Sequence, residues 1–334
     1  MPAVQNKSSL YRLIHKKIRS LVKQIYRYTH RRNMRHMENL WPYLKIDSKE
    51  NGSKSIYWRS QDVCHCESIA TLKNSLPGTW YLVANGPSVS NIDFNKLRDK
   101  QLCGVNASIA LTDKYDIHFD AYVVIDPVFI DKNYEMMRKI LLSQTKCFMT
   151  VYCIISIYHR EPELLKCSKI YLVEHINRRI FKPVLDIHSF RTWVASIPSL
   201  HFSETNTDIK IGCSEDISLG IFDGGTVAVW ALQILAYAGA SNINLLGVDI
   251  RGQKDRNRFF EDKDNKQPSD LMDKYSTIIE PSLKAVKECC ENKGITLRNY
   301  SPNSIIPESL IEKADPSDLL IAPPHQITKE RFNP

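Results

Sequence analysis

From Thr79 onward the chain alternates short apolar runs with stretches of helical periodicity, and few architectures accommodate that alternation. The runs are Thr79–Ala84, Leu102–Val105, Ala121–Ile125, Phe148–Ile155, Ile170–Val173 and Ile243–Leu246. Several are continuously apolar, as strands covered on both faces must be. Helical patterns at Asn133–Leu142, Thr226–Ala238 and Pro268–Cys290 separate many of them. The order predicts an α/β fold: a Rossmann-like, mostly parallel sheet with helices on both faces. At 334 residues there is ample chain for such a core. A composition of 43% hydrophobic and 25% charged residues excludes a disordered chain and a small disulfide scaffold. The longest apolar stretch, Ala228–Ala240, falls short of the roughly 18–20 residues a membrane span needs and suits a buried core helix.

Charge is distributed unevenly. Residues 1–40 hold ten Lys and Arg against one acid, Glu38, which accounts for the whole net charge of +8. The remaining body is close to neutral, so it offers no general nucleic-acid-binding surface. In the arm, Leu10, Leu13, Ile14, Ile18, Leu21, Val22, Ile25 and Tyr28 recur at helical spacing, with Lys16, Lys17, Arg19, Lys23 and Arg27 largely between them. An N-terminal amphipathic helix over residues 8–30 suits an anionic membrane surface. A helix docked on the body with a solvated basic side has the same pattern. Residues 41–76 read as an irregular polar connector, 77–313 as the Rossmann-like domain with a lid at about 251–270, and 314–334 as an irregular tail. The nine cysteines form no paired framework and read as buried free thiols of a reducing compartment. The N-terminus lacks an apolar signal core, so the expected location is cytoplasmic.

Candidate sites stand where strands end. Ligands of a doubly wound sheet bind beyond the carboxyl ends of its strands, and Asn85-Gly86-Pro87-Ser88 directly follows the first run. Gly86 permits close backbone approach, while Asn85 and Ser88 offer side-chain hydrogen bonds. The segment is neither a Walker loop nor a G-x-G-x-x-G turn, and an ordinary turn uses the same residues. Asn106 ends the second run. Asp126 ends the third, placed for acid–base work or ribose binding, or for capping the helix that follows. Gly224-Gly225-Thr226 precedes the apolar helix, where free N–H groups favour a phosphate and where a plain cap is equally at home. Asp249 ends the last run. Beyond it, Arg256 and Arg258 lie in a polar loop and suit a carboxylate or phosphate. Asp262-Lys263-Asp264 matches the D-x-D of metal-using glycosyltransferases, but it sits inside a hydrophilic run rather than at a strand end. No metal site is assigned.

Together these pieces resemble the lipopolysaccharide core proteins called WaaZ or RfaZ. The segments that carry the resemblance are Asp216-Ile217-Ser218-Leu219-Gly220, Gly224-Gly225-Thr226, the helix through Ala238, and Leu246-Gly247-Val248-Asp249. Gly86-Pro87-Ser88, Val105-Asn106-Ala107-Ser108 and Arg258-Phe259-Phe260-Glu261 add to it, over roughly residues 79–310. A more distant similarity runs to bacterial CMP-sialic-acid sialyltransferases, through Asn85-Gly86-Pro87-Ser88, Asn106 and Ser301-Pro302-Asn303-Ser304. The resemblance implies a glycosyltransferase moving 3-deoxy-D-manno-octulosonic acid (Kdo) from a CMP-Kdo donor onto the inner core of lipopolysaccharide. It also implies no metal or other cofactor, and a peripheral place on the cytoplasmic face of a Gram-negative inner membrane. In that reading cytidine and ribose lie against Asn85, Gly86, Ser88 and Asn106. The phosphate faces Gly224, Gly225 and Thr226 beneath Arg256 or Arg258. Asp126 or Asp249 is the base, or a nucleophile if configuration is retained. The lid His of the sialyltransferases has no counterpart, because residues 202–324 contain no His. Two other readings stand beside it: a sialyltransferase using CMP-sialic acid, and a non-catalytic, membrane-associated lipopolysaccharide assembly factor with the same fold.

Overall fold

A computed structural model describes residues 17, 18, 20–204, 208–250 and 271–320, beginning with helix α1 (20–29). Where an irregular connector was expected, the chain folds into an antiparallel meander of β1 (Leu44–Ser48), β2 (Lys54–Trp58) and β3 (Gln61–Glu67). Alternating burial drives it: in β3, Cys64 and Cys66 are buried while His65 faces out, and Val63, also buried, falls where the register against β2 shifts. Polar neighbours disguise this short alternation in the sequence.

The apolar runs supply the parallel body. It comprises β4 (Gly78–Val83), β5 (Gln101–Val105), β6 (Ala121–Val124), β7 (Lys146–Met149) and β8 (Lys169–Leu172), with α2 (Pro127–Lys132), α3 (Tyr134–Leu142) and α4 (Val151–Tyr158) in the crossovers. After β8 come α5 (Ile187–Ala195) and a separate two-stranded ribbon, β9 (Leu200–Ser203) with β10 (Ile211–Ser214). Then α6 (Val227–Ala238), β11 (Ala240–Leu246), α7 (Glu280–Asn292), β12 (Thr296–Asn299) and β13 (Glu312–Lys313) complete the helices and strands of the described residues. The main sheet has eleven strands in the order β1-β2-β3-β8-β7-β6-β5-β4-β11-β12-β13. Every pairing from β3 across to β13 is parallel. The expected fold class is the one observed, with the strand order reversing between β4 and β11.

The run at 148–155 divides differently from expectation. Its strand stops at Met149 and α4 starts at Val151, with five of that helix's eight residues buried. A short run buried on every side reads alike as strand or helix. The pattern expected as a helix over Pro268–Cys290 becomes a wide π turn, Tyr275–Ile279, running into α7 at Pro281. Pro281 has no N–H to donate, so it stands where one ladder gives way to the other. The expected tail begins just after β13 and makes a 3-10 turn at Pro316–Leu320.

Two cores explain the continuous apolar runs. Alternate residues of β4 divide between them: Tyr81 and Val83 pack toward α2, α3 and α4, and Trp80 and Leu82 toward α6 and α7. Helix α6 is almost wholly enclosed. Its one buried amide, Gln233, donates to Phe222 O (2.9 Å) and Val229 O (3.1 Å), and accepts from the Ser214 (3.0 Å) and Phe222 (3.2 Å) N–H groups. All nine cysteines are free thiols, and only Cys167 is partly exposed. Among the described residues no helix is long and apolar enough to cross a membrane.

Candidate functional site

The reversal in strand order opens a crevice beyond the carboxyl ends of β4 and β11. Three loops, distant in sequence, are tied together there. The Gly86 N–H donates to Gly247 O (2.8 Å), and the Ser88 N–H donates to Asp249 Oδ2 (2.8 Å). Ser88 Oγ donates to Ser301 Oγ (3.0 Å), and Ser304 Oγ to Val248 O (2.8 Å). Only glycine fits at 86, because a Cβ there would lie 2.1 Å from Asp249 Oδ2 and 2.4 Å from Gly247 O. Asp249 is therefore the buried post around which the Gly86-Pro87-Ser88 turn is wrapped, with 3% of its surface exposed.

Asn85 and Asn106 stand at the ends of the adjacent strands β4 and β5, roughly one strand spacing (about 5 Å) apart in the sheet. Both side-chain Oδ1 atoms are buried and lack a hydrogen-bond partner among the described residues. Buried amide oxygens of this kind ordinarily accept a hydrogen bond, here one that a ligand's hydroxyl or amino group can supply. Asn106 adopts φ 48°, a left-handed conformation that Asn tolerates better than most residues. Tyr122 enforces it. Its hydroxyl donates to Asn106 O (2.8 Å), accepts from the Ile109 N–H (2.7 Å) and contacts Ser108 Oγ (2.9 Å), which in turn accepts from the Val105 N–H (3.0 Å).

Asp126 is exposed at the end of β6, and its Oδ1 accepts from the Val128 N–H (2.8 Å) to cap α2. Gly224 and Gly225 take φ 62° and 71°, and Thr226 caps α6 through the Ala228 N–H (3.4 Å). That turn is packed from behind, since a Cβ on Gly224 would fall 2.4 Å from Val229 Cγ1. Asp223, just ahead of it, accepts from Trp230 Nε1 (3.0 Å). Arg256, Arg258, the lid at 251–270 and Asp262-Lys263-Asp264 lie outside the described residues.

Sequence reasoning missed His175. It follows β8 and sits edge-on to Trp230, ring centroids 6.4 Å apart, with Nδ1 accepting from the Asn177 N–H (3.0 Å). The segment around it is laddered onto the one before α6 through Ile221 N–H to Glu174 O (2.8 Å) and Ile176 N–H to Ile221 O (2.9 Å). Burial pushes its pKa down to about 4, against a smaller opposing pull from Asp223. The imidazole is thus neutral beside the start of α6. The signal was its place two residues past the run Ile170–Val173, the same strand-end rule that singled out Asp126.

A cavity of about 740 Å³ lies beside the first turn of α2, between α1 and the meander. Trp41, Tyr43, Trp58, Tyr152 and His159 give it aromatic walls, Pro127 brings it next to Asp126, and Arg59 and Arg160 are balanced by Glu38 and Asp131, the last paired with Arg160 at 2.9 Å.

No curated protein matches the chain significantly. Among solved structures, it is similar to the sialyltransferase CstII from Campylobacter jejuni in complex with cytidine-5'-monophosphate. Identity there is 15% and TM-score 0.41, over 71% of this chain and 85% of that one. CST-II with a trisaccharide acceptor and CMP gives 15% and 0.39, over 71% and 86%. The MAf glycosyltransferase of Magnetospirillum magneticum AMB-1 gives 12% and 0.39, over 74% of this chain and 35% of that one. The family model of the 3-deoxy-D-manno-octulosonic acid transferase WaaZ matches residues 64–314, from inside β3 to just past β13. With three quarters of its length matched, crevice loops included, the chain belongs to the WaaZ family of Kdo transferases.

Proposed function

We propose that this glycosyltransferase moves Kdo from CMP-Kdo to a hydroxyl of the lipopolysaccharide inner core. The observation that carries the donor reading is the pair of buried amide oxygens on Asn85 and Asn106, beside a turn closed to any side chain at Gly86. The cytosine amino group and the ribose hydroxyls supply donors of the kind these oxygens lack. In this reading Asn85, Gly86, Ser88 and Asn106 hold the nucleoside. The CMP phosphate faces Gly224, Gly225 and Thr226 at the start of α6, with Arg256 or Arg258 over it.

In the transfer the acceptor oxygen bonds to the anomeric carbon of Kdo. The bond from that carbon to the phosphate oxygen breaks, and CMP leaves with the electron pair. The acceptor proton passes to a base, for which Asp126 is our assignment because it is exposed at a strand end beside the aromatic cavity. Asp249, buried and bonded to the Ser88 N–H, is assigned to holding the turn. The cavity, with its aromatic walls, suits a saccharide acceptor. Leaving-group charge is met by N–H groups and Arg, so turnover should require no added Mg²⁺ or Mn²⁺.

The deciding experiment incubates the chain with CMP-Kdo and deep-rough lipopolysaccharide and weighs the product. Gain of one Kdo is expected. Transfer from CMP-sialic acid instead would replace the donor, and absence of any thermal shift with CMP would favour the non-catalytic assembly factor.

A further inference from the structure

Side chains that the transfer does not use converge near the C-terminal end of α7. In the ribbon, His201 and Cys213 pair directly across β9 and β10, so their side chains share a face. Glu215, two residues beyond Cys213, continues that face. Cys289 of α7 meets it. One imidazole nitrogen of His201, a Glu215 carboxylate oxygen and Cys289 Sγ all lie within 4.8 Å of one another. His201 Nε2 is 2.7 Å from Glu215 Oε1, and Cys213 is buried on the same face of the ribbon. One imidazole, one carboxylate and one thiol, from three segments, thus come together. The Cys289 thiol forms a buried floor, while the His201 and Glu215 side chains, 42% and 26% exposed, leave the mouth open to solvent. Lys293, one turn after Cys289, approaches Glu215 on its other oxygen, Oε2, at 3.4 Å. It steadies the carboxylate without filling the centre.

We propose that His201, Glu215 and Cys289 form a site for Zn(II) or a similar divalent transition ion, with a water at the open mouth as fourth ligand, clamping the ribbon to α7. Imidazole, carboxylate and thiolate are the ligands Zn(II) takes in tetrahedral geometry. Bond lengths of about 2.0–2.3 Å put such ligand atoms about 3.3–3.8 Å apart, so small side-chain rotations complete the shell. On binding, the Cys289 thiol releases its proton to solvent and the His201–Glu215 hydrogen bond gives way to two metal bonds. The site is structural rather than chemical. Cys289 lies nine residues along α7 from Glu280, about 13 Å from the helix end that faces the crevice.

The test strips the full chain with EDTA and titrates it with Co(II), whose thiolate bonds absorb in the near ultraviolet and whose tetrahedral complexes absorb in the red. Both bands are expected, saturating at one ion per chain and displaced by Zn(II), which raises the melting temperature. Cys289→Ser, His201→Ala and the size-conserving Glu215→Gln should each weaken Co(II) binding by more than about tenfold. CMP binding in the stripped protein should be unchanged, which keeps this result separate from the transferase reading. A wild-type chain without the thiolate band overturns the proposal whether or not the variants fold. A band that Cys289→Ser and Glu215→Gln leave intact overturns it equally.

Discussion

The Tyr122 hydroxyl sits at the centre of the turn that presents Asn106, bonded to Asn106 O, the Ile109 N–H and Ser108 Oγ. Tyr122→Phe removes it and leaves a buried carbonyl and a buried N–H without their partner. The expected loss is about 1–3 kcal/mol of stability by urea denaturation, with weaker CMP binding. Asn106→Gly, which keeps the left-handed backbone, should weaken CMP binding without that loss of stability. The same CMP affinity in both variants as in the wild type would remove Asn106 from the donor site. Asp126→Asn is the complementary case. Asn caps helices about as well as Asp, so the fold and CMP binding should survive, whereas losing a general base costs about 10²–10⁴-fold in rate. Near-normal transfer by this variant would point to another base, His175 first. At this scale the sequence marks Gly86, Asn106 and Asp126 because strand-end position and residue type suffice. It does not mark the post-like role of Asp249, which depends on a partner 161 positions away.

Helix α1 divides its side chains between two environments. Tyr26 is buried, its hydroxyl donating to Met34 O (2.8 Å), and Arg27 is paired with Glu38 at 2.7 Å. Ile18, Leu21, Ile25 and Tyr28 recur at three- and four-residue steps and are all well exposed. One side of the helix therefore docks on the body, while an apolar stripe faces outward. Replacing Leu21 and Ile25 by Ser should leave the melting temperature unchanged. It should lower partition onto anionic vesicles roughly a hundredfold, if each residue gives up at least about 1.5 kcal/mol of apolar burial. Equal partition of variant and wild type would refute the membrane role of the arm. Other elements were legible in proportion to their burial. Strands sunk between two cores announce themselves as apolar runs, while β1, β2 and β3 carry lysines, acids and serines among their buried residues and pass for a connector. Phe148–Ile155 fails in the opposite way, because a strand and a helix buried on all sides share one composition.

Across the whole molecule, acid should act through His175. Its pKa lies near 4 in the folded chain against an ordinary 6.5, so the unfolded chain takes up this proton first as pH falls. Stability from this group is complete above about 6.5 and declines as pH drops toward 4. Urea midpoints at pH 7.5 and pH 5 should therefore differ less for His175→Gln than for the wild type. Equal differences would place the acid sensitivity elsewhere. The class of the fold was readable because alternation of buried runs and helices has few solutions. The crevice was readable only in pieces, since its ties join Ser88 to Asp249 and Ser301 across 161 and 213 positions. The same reversal of strand order has a consequence for synthesis. β4 leaves the ribosome early and pairs with β5 on one side, but its other neighbour, β11, begins at Ala240. At about 5–20 residues per second the nascent chain exposes that apolar edge for on the order of 10–30 s. During that interval Trp80 and Leu82 lack the cover of α6, and chaperone capture should concentrate on chains arrested between β8 and α6.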